Sequence, residues 1–205
     1  TLTASGGPFL NMNKNDFKNI KPIDAIKHPV WKMGKKISVD SATMVNKALE
    51  IIEAGVLFNL KSKEIDVLIH PQSIIHGLVH YKDGSTLANL SNPDMISPIA
   101  VALAYPDRLD LNLKNFSLDQ VSNLTFLKPD LKKFPALKYG WQALNSGGTY
   151  PIIFNAANEI AVEYFLNNLI NFNDIVNLID SALSSINLKS PKNLDDSLEI
   201  DKITR

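Results

Sequence analysis

The chain has 205 residues, 45% of them apolar and 20% charged, enough for one or two domains with a core that needs no covalent staples. Disordered and collagen-like chains do not have this balance, and 21 Lys and Arg against 21 Asp and Glu leave no overall footprint for nucleic acid or an anionic membrane. The absence of cysteine removes disulfide frameworks, thiolate metal sites, iron–sulfur clusters and cysteine nucleophiles, so any metal must take oxygen or imidazole ligands.

The chain opens Thr1-Leu2-Thr3-Ala4-Ser5-Gly6-Gly7-Pro8, an apolar-to-glycine transition without an initiator Met, and is expected to be the carboxy-terminal part of a longer protein. The paired glycines form either a plain turn or a cradle whose amides converge on an anion beside the Ser5 hydroxyl. Residues 27–36 gather His28, Trp31, Met33 and several cations, with Pro29 and Gly34 opposing regular structure. Such a segment is either a lid that closes over a ligand or a loop that tucks Trp31 into the core. Over residues 40–58, Met44, Val45, Ala48, Leu49, Ile52, Leu57 and Phe58 recur at helical spacing and predict one helix, with Asp40 or Ser41 as its N-cap. Residues 65–69, 74–81 and 86–90 read as strands, the last two joined by an Asp83-Gly84 hairpin turn.

Between 92 and 129, Pro93, Pro98, Pro106 and Pro129 mark a connector with a short helix near 99–104. Helical spacing returns over 135–145, 151–169 and 174–186, with Gly147-Gly148 closing the first stretch and Pro151 opening the second. The expected fold class is α+β: a mixed or antiparallel sheet with helices over 1–104, a linker over 105–131, and a small all-α bundle of three or more helices over 132–205. No run reaches the roughly 18 apolar residues of a membrane-crossing helix, and the first residues lack the basic and apolar regions of a signal peptide.

Asn46 and Lys47 offer a neutral and a cationic donor one turn beyond the hydroxyls of Ser38, Ser41 and Thr43, and Glu50 shares their helix face. That is the outline of a phosphate or carboxylate site with one carboxylate for a hard divalent cation such as Mg2+ or Mn2+. The plainer reading is an N-cap followed by a surface Lys/Glu pair; Glu53, one turn beyond Glu50, is either an acid supporting that carboxylate or, as is commoner, part of a solvated face. His76 and His80, on one strand face about 13 Å apart, are too distant to chelate one ion, and with His70 they read as structural or supporting. Neither Gly-x-Gly-x-x-Gly, nor Gly-x-x-x-x-Gly-Lys-Ser/Thr, nor Gly-x-Ser-x-Gly occurs.

Taken in order, Ser5-Gly6-Gly7-Pro8-Phe9, His28-Pro29-Val30-Trp31-Lys32-Met33-Gly34, Lys36-Ile37-Ser38-Val39-Asp40-Ser41-Ala42-Thr43-Met44, Asn46-Lys47 with Glu50 and Glu53, Leu68-Ile69-His70-Pro71-Gln72-Ser73, Pro93-Asp94-Met95 and Asn155-Ala156-Ala157-Asn158-Glu159 closely resemble the 1-deoxy-D-xylulose 5-phosphate reductoisomerase family. The resemblance runs across nearly the whole chain. It implies an NADPH-dependent oxidoreductase and isomerase of non-mevalonate isoprenoid biosynthesis, giving 2-C-methyl-D-erythritol 4-phosphate. Carried over residue by residue, it implies that Ser5, His28, Trp31, Ser41, Asn46, Lys47, Glu50 and Ser73 bind substrate and that Glu50 also ligates Mg2+ or Mn2+. Trp31 would be the lid over the substrate, with Met33, Gly34 and Met95 beside the nicotinamide; Glu50, Lys47, His28 and Trp31 form the expected catalytic set.

Members also carry an NADPH-binding domain and an Asp-Ser-Glu segment supplying two further metal carboxylates, and neither is found in this sequence. The sequence also stops short of the last segment found in many members. The chain alone is therefore expected to be catalytically incompetent. Expected partners are a sugar phosphate and a second copy of the chain, with no nucleic acid and no membrane; the expected compartment is the bacterial cytoplasm or a plastid-type organelle. The alternatives are a non-catalytic organic-phosphate-binding module and a dimerisation fragment.

Overall fold

Thr3 lies between a parallel and an antiparallel neighbour, and this central position organises the sheet. The computed structural model describes residues 1–31 and 33–205; Lys32, within the expected lid, and the Gln120 side chain lie outside that description. Strand β1 (Leu2–Ala4) runs parallel to β2 (Val67–Ile69), pairing Leu2 with Val67 and Ala4 with Ile69. On its other side it is antiparallel to β3 (Ile75–His80), which turns through Asp83-Gly84 into β4 (Thr86–Leu90). The order is β2-β1-β3-β4, a mixed sheet. Antiparallel pairing holds for the hairpin, whereas the β1–β2 pair is parallel because residues 5–66 form a crossover with room for helices. The Thr3 hydroxyl donates to the Ile75 carbonyl at 2.6 Å and ties the strands together from within.

The crossover carries α1 (Pro22–Ala25), α2 (Lys35–Thr43) and α3 (Val45–Leu57). Two helices thus replace the single helix expected over 40–58, and Asp40 and Ser41 sit in the last turn of α2 rather than at a helix start. The break has a local cause. The Thr43 hydroxyl donates toward the carbonyls of Val39 (3.1 Å) and Asp40 (3.2 Å) and receives the Val45 amide at 3.4 Å, while Met44 turns the chain at φ 65°. Hydrophobic spacing does not register this break, because Met44 and Val45 are buried on both sides of it. Lys35 and Lys36 likewise begin α2, with Gly34 as its N-cap, instead of extending an irregular loop.

Beyond β4 come α4 (Ile96–Ala104), α5 (Ala136–Ser146), α6 (Tyr150–Leu166), α7 (Phe172–Ser185) and α8 (Leu194–Thr204). Gly147 caps α5 at φ 60°, as the Gly-Gly punctuation implies. Helix α3 packs on α5, and α6 packs on both α7 and α8. One buried apolar cluster runs from Ala4 and Ile69 through Val45 and Ile51 to Leu137, Phe154 and Ile179. Each such large side chain, fully buried, stabilises the fold by about 1.5–3 kcal/mol. Phe9, Phe17 and Phe172 meet with ring centroids 5.3–6.1 Å apart, locking the start of the crossover onto α7. Among the described residues, no helix is long and apolar enough to cross a membrane.

Candidate active site

The parallel strands β1 and β2 end side by side, the His70 amide donating to the Ala4 carbonyl at 2.7 Å, so the loops beginning at Ser5 and at His70 emerge together. Ligand sites favour the carboxyl ends of parallel strands, because loops rather than a continuing ladder cover them. At this end Ser5 Oγ lies 2.9 Å from His28 Nε2 and receives the Gly7 amide at 3.3 Å. His28 Nδ1 accepts the amides of Val30 (3.1 Å) and Trp31 (2.9 Å), so the ring proton sits on Nε2 and is donated to Ser5. Burial pushes the His28 pKa below its ordinary 6.5, which favours this neutral form. With Ser5 Oγ already accepting two hydrogen bonds, its own proton is left to be donated to a further acceptor.

Gly7 adopts φ 66° and lies so close to α2 that a Cβ would stand 2.8 Å from the Ser41 carbonyl oxygen. This approach brings the Ser5 loop onto the turn that carries half-buried Ser41. The chain then reverses through Met44 into α3, whose buried stripe of Val45, Ala48, Ile51, Ile52 and Gly55 leaves Asn46, Lys47 and Glu50 on another face. Asn46 Nδ2 donates to Glu50 Oε1 at 2.7 Å, and Lys47 Nζ donates to Glu50 Oε2. Lys47 is only 11% exposed and Glu50 34%, so the pair sits at the edge of solvent and is not a freely hydrated surface pair.

Half-buried Trp31 meets His76 of β3 edge-on, with ring centroids 6.4 Å apart. His76 Nε2 is 3.3 Å from the Ser91 carbonyl; burial lowers its pKa against the raising effect of that carbonyl, and His70 and Lys47 lower it further. Trp31 and β3 therefore meet through His76. Ser73 is buried at φ 52°, its amide donating to the His70 carbonyl at 3.0 Å. Its loop is strapped from residues 125–127: His70 Nδ1 is 2.9 Å from the Thr125 carbonyl, His70 stacks on Phe126, and Gln72 bonds reciprocally with Thr125. Met33 is half-buried beside exposed Gly34. Met95 stands apart as the cap of α4, 57% exposed, with no hydrogen bond among the described residues joining it to the others.

The donor set fits a hard divalent cation only in part. No cluster of three or more His, Asp or Glu able to hold a metal occurs among the described residues, and Glu50 is one carboxylate where such ions take about six oxygens. Sequence spacing also passed over His76 as part of the site: the strand distance excluding it as a metal ligand says nothing about Trp31 resting on it. Nor did any spacing signal connect Asp40 to Asn158, or Thr125 to the Ser73 loop.

Two family models match the chain: DXP reductoisomerase C-terminal domain over residues 90–205, and 1-deoxy-D-xylulose 5-phosphate reductoisomerase C-terminal domain over residues 1–58. The chain is similar to the 1-deoxy-D-xylulose 5-phosphate reductoisomerase of Prosthecochloris aestuarii, 50% identical over 204 residues that cover 100% of this chain and 53% of that protein. The protein of that name from Vesicomyosocius okutanii is 52% identical with the same coverage. Among solved structures, the Zymomonas mobilis enzyme in complex with NADPH superposes with a TM-score of 0.93 at 41% identity, covering 100% of this chain and 52% of that one. A DOX-P reductoisomerase in complex with NADPH, fosmidomycin and magnesium gives 0.93 at 46% identity, with the same coverage. The chain spans about half the length of the curated relatives it matches.

Proposed function

The chain belongs to the 1-deoxy-D-xylulose 5-phosphate reductoisomerase family, and from that membership we propose that it supplies the substrate-phosphate and lid half of an NADPH-dependent enzyme converting 1-deoxy-D-xylulose 5-phosphate to 2-C-methyl-D-erythritol 4-phosphate. The observation that carries this reading is the Asn46–Glu50–Lys47 clamp, an amide and a cation paired with one carboxylate on α3, the helix that follows the turn against which the Ser5 loop is seated.

Ser5, Ser41, Asn46 and Lys47 bind the phosphate and neighbouring oxygens. These contacts, remote from the reacting carbons, supply binding energy that orients the substrate. As Asn46 and Lys47 turn toward the anion they release the Glu50 oxygens, so substrate and cation occupancy are coupled through one side chain. Glu50 would take one position on a Mg2+ or Mn2+ ion, whose chemistry when bound is to polarise the substrate carbonyl and stabilise the developing alkoxide. NADPH supplies the hydride, with Met33, Gly34 and Met95 assigned to its nicotinamide end. Trp31, its backbone pinned by His28 and its ring resting on His76, closes over the substrate and excludes water from the reactive aldehyde.

A second reading is favoured by the single carboxylate: the chain alone binds organic phosphates and does not turn them over. A homodimer formed through the sheet is supported by β4, an edge strand, and by α4, which leaves Ile96, Ile99 and Leu103 exposed. The test is NADPH oxidation with deoxyxylulose phosphate and Mn2+. The chain alone is expected to be inactive, and a full-length family polypeptide carrying this sequence as its carboxy-terminal half is expected to be active and to lose activity on Glu50→Gln. Inactivity of the unsubstituted full-length polypeptide would overturn the enzyme reading, and turnover by the chain alone would overturn the division of labour.

A further inference from the structure

Asp40 in α2 and Asn158 in α6 are 2% and 0% exposed, and they meet across 118 residues of sequence. Asn158 Nδ2 donates to Asp40 Oδ1 at 2.9 Å, and Lys36, one turn before Asp40, reaches Oδ2 at 2.6 Å from a half-exposed position. Asn158 Oδ1 has no hydrogen-bond partner among the described residues. Even with Lys36 beside it, a buried carboxylate against a half-satisfied amide is often no more stabilising than an apolar pair of the same shape, so stability alone does not account for these two residues. Their neighbours point to position instead.

Asp40 precedes Ser41 and belongs to the turn on which both halves of the phosphate site depend. On one side, the Ser41 carbonyl is the surface against which Gly7, and with it the Ser5 loop, is seated. On the other, the Thr43 hydroxyl bonds toward the Asp40 carbonyl, and the Met44 reversal that follows launches Asn46 and Lys47. A shift of this turn therefore moves Ser5 relative to Lys47. Helices α2 and α6 are in contact, which lets an amide of α6 reach into the last turn of α2.

We propose that Asn158 and Asp40 are positioning residues of the phosphate site, the α6 amide holding the last turn of α2 so that Ser5, Ser41 and Lys47 converge on one anion. The carboxy-terminal helices thereby set substrate affinity without touching substrate. This inference rests on the phosphate-site reading above.

The experiment uses the full-length family polypeptide carrying this sequence, measuring thermal midpoint, kcat and KM for deoxyxylulose phosphate. D40L/N158L, which replaces the polar pair by an apolar one, is expected to fold with an unchanged or higher midpoint while kcat/KM falls by about 10²-fold, mostly through KM. N158D, which sets two carboxylates against each other, is expected to lose activity, and the exchanged pair D40N/N158D to recover about tenfold of that loss. Wild-type kcat/KM in D40L/N158L would overturn the inference while leaving the enzyme reading intact. Should D40L/N158L fail to fold, an exchanged pair no better than N158D overturns it equally. No turnover and no phosphate-ester binding by the unsubstituted polypeptide would overturn both the inference and the reading beneath it.

Discussion

His28 donates from Nε2 to Ser5 across 2.9 Å while its Nδ1 accepts the Val30 and Trp31 amides, so one imidazole ties the Ser5 hydroxyl to the backbone of residues 30 and 31. Protonation puts a hydrogen on Nδ1 and expels both amides. Because burial holds the His28 pKa below 6.5, the unfolded chain binds the proton more tightly. The stability contributed by the neutral ring is fully present above pH 6.5 and is lost as pH falls through the lower folded value. Urea denaturation across this range is expected to show a shallower pH slope for His28→Gln than for the unsubstituted chain. His76, shifted in the same direction, keeps the variant's slope from vanishing. Parallel slopes would show that His28 does not carry this linkage.

Lys47 and Glu50 oppose each other in charge and in expected effect. Hydrogen bonds to charged groups contribute about 1.5–3 kcal/mol, so Lys47→Met should weaken binding of a phosphate ester such as glycerol phosphate by about 10- to 100-fold. Glu50→Gln frees Lys47 and should leave that binding unchanged or tighter, while removing any enhancement by Mg2+ or Mn2+. Calorimetric titration with and without the cation separates the two; equal losses in both variants would contradict the clamp.

Two close approaches are expected to respond differently to one added methyl group. Gly7→Ala combines a left-handed backbone with a Cβ 2.8 Å from the Ser41 carbonyl oxygen and should cost about 2 kcal/mol or more, together with phosphate affinity. Gly140→Ala meets Ala48 Cα at 2.8 Å where α5 crosses α3 and should cost about 1–3 kcal/mol by overpacking. The Gly140 variant, once folded, should bind phosphate normally. Thermal unfolding and ligand titration of both proteins check the contrast.

The strap over the Ser73 loop offers a milder test. Thr125→Val removes the acceptor for Gln72 Nε2 but keeps the Thr125 backbone contacts with Gln72 and His70. It should cost no more than about 1 kcal/mol in global stability. Amide hydrogen exchange over residues 70–73 should nonetheless rise, and unchanged protection there would show that the hydroxyl is not part of the restraint.

Local spacing in the sequence carried a large part of this architecture. The apolar stripes of α5, α6 and α7, the Gly147 stop, the β3–β4 hairpin at Asp83-Gly84 and the placement of Asn46, Lys47 and Glu50 on one face all follow from interactions within a few residues. The Met44 break did not, because a hydroxyl turning back onto helix carbonyls leaves hydrophobic periodicity intact.

The sequence alone thus set the family resemblance, the helical periods, the turn chemistry and the residue types available for an anion and a hard cation. Tertiary structure decided which of those residues meet: Ser5 with His28 across 23 positions, Gln72 with Thr125 across 53, and Asp40 with Asn158 across 118. The division has a physical origin. Periodicity and capping report energies between neighbours along the chain, whereas these contacts depend on where the parallel strand pair and the α3–α5 crossing bring distant segments, and burial in one shared core fixes that choice.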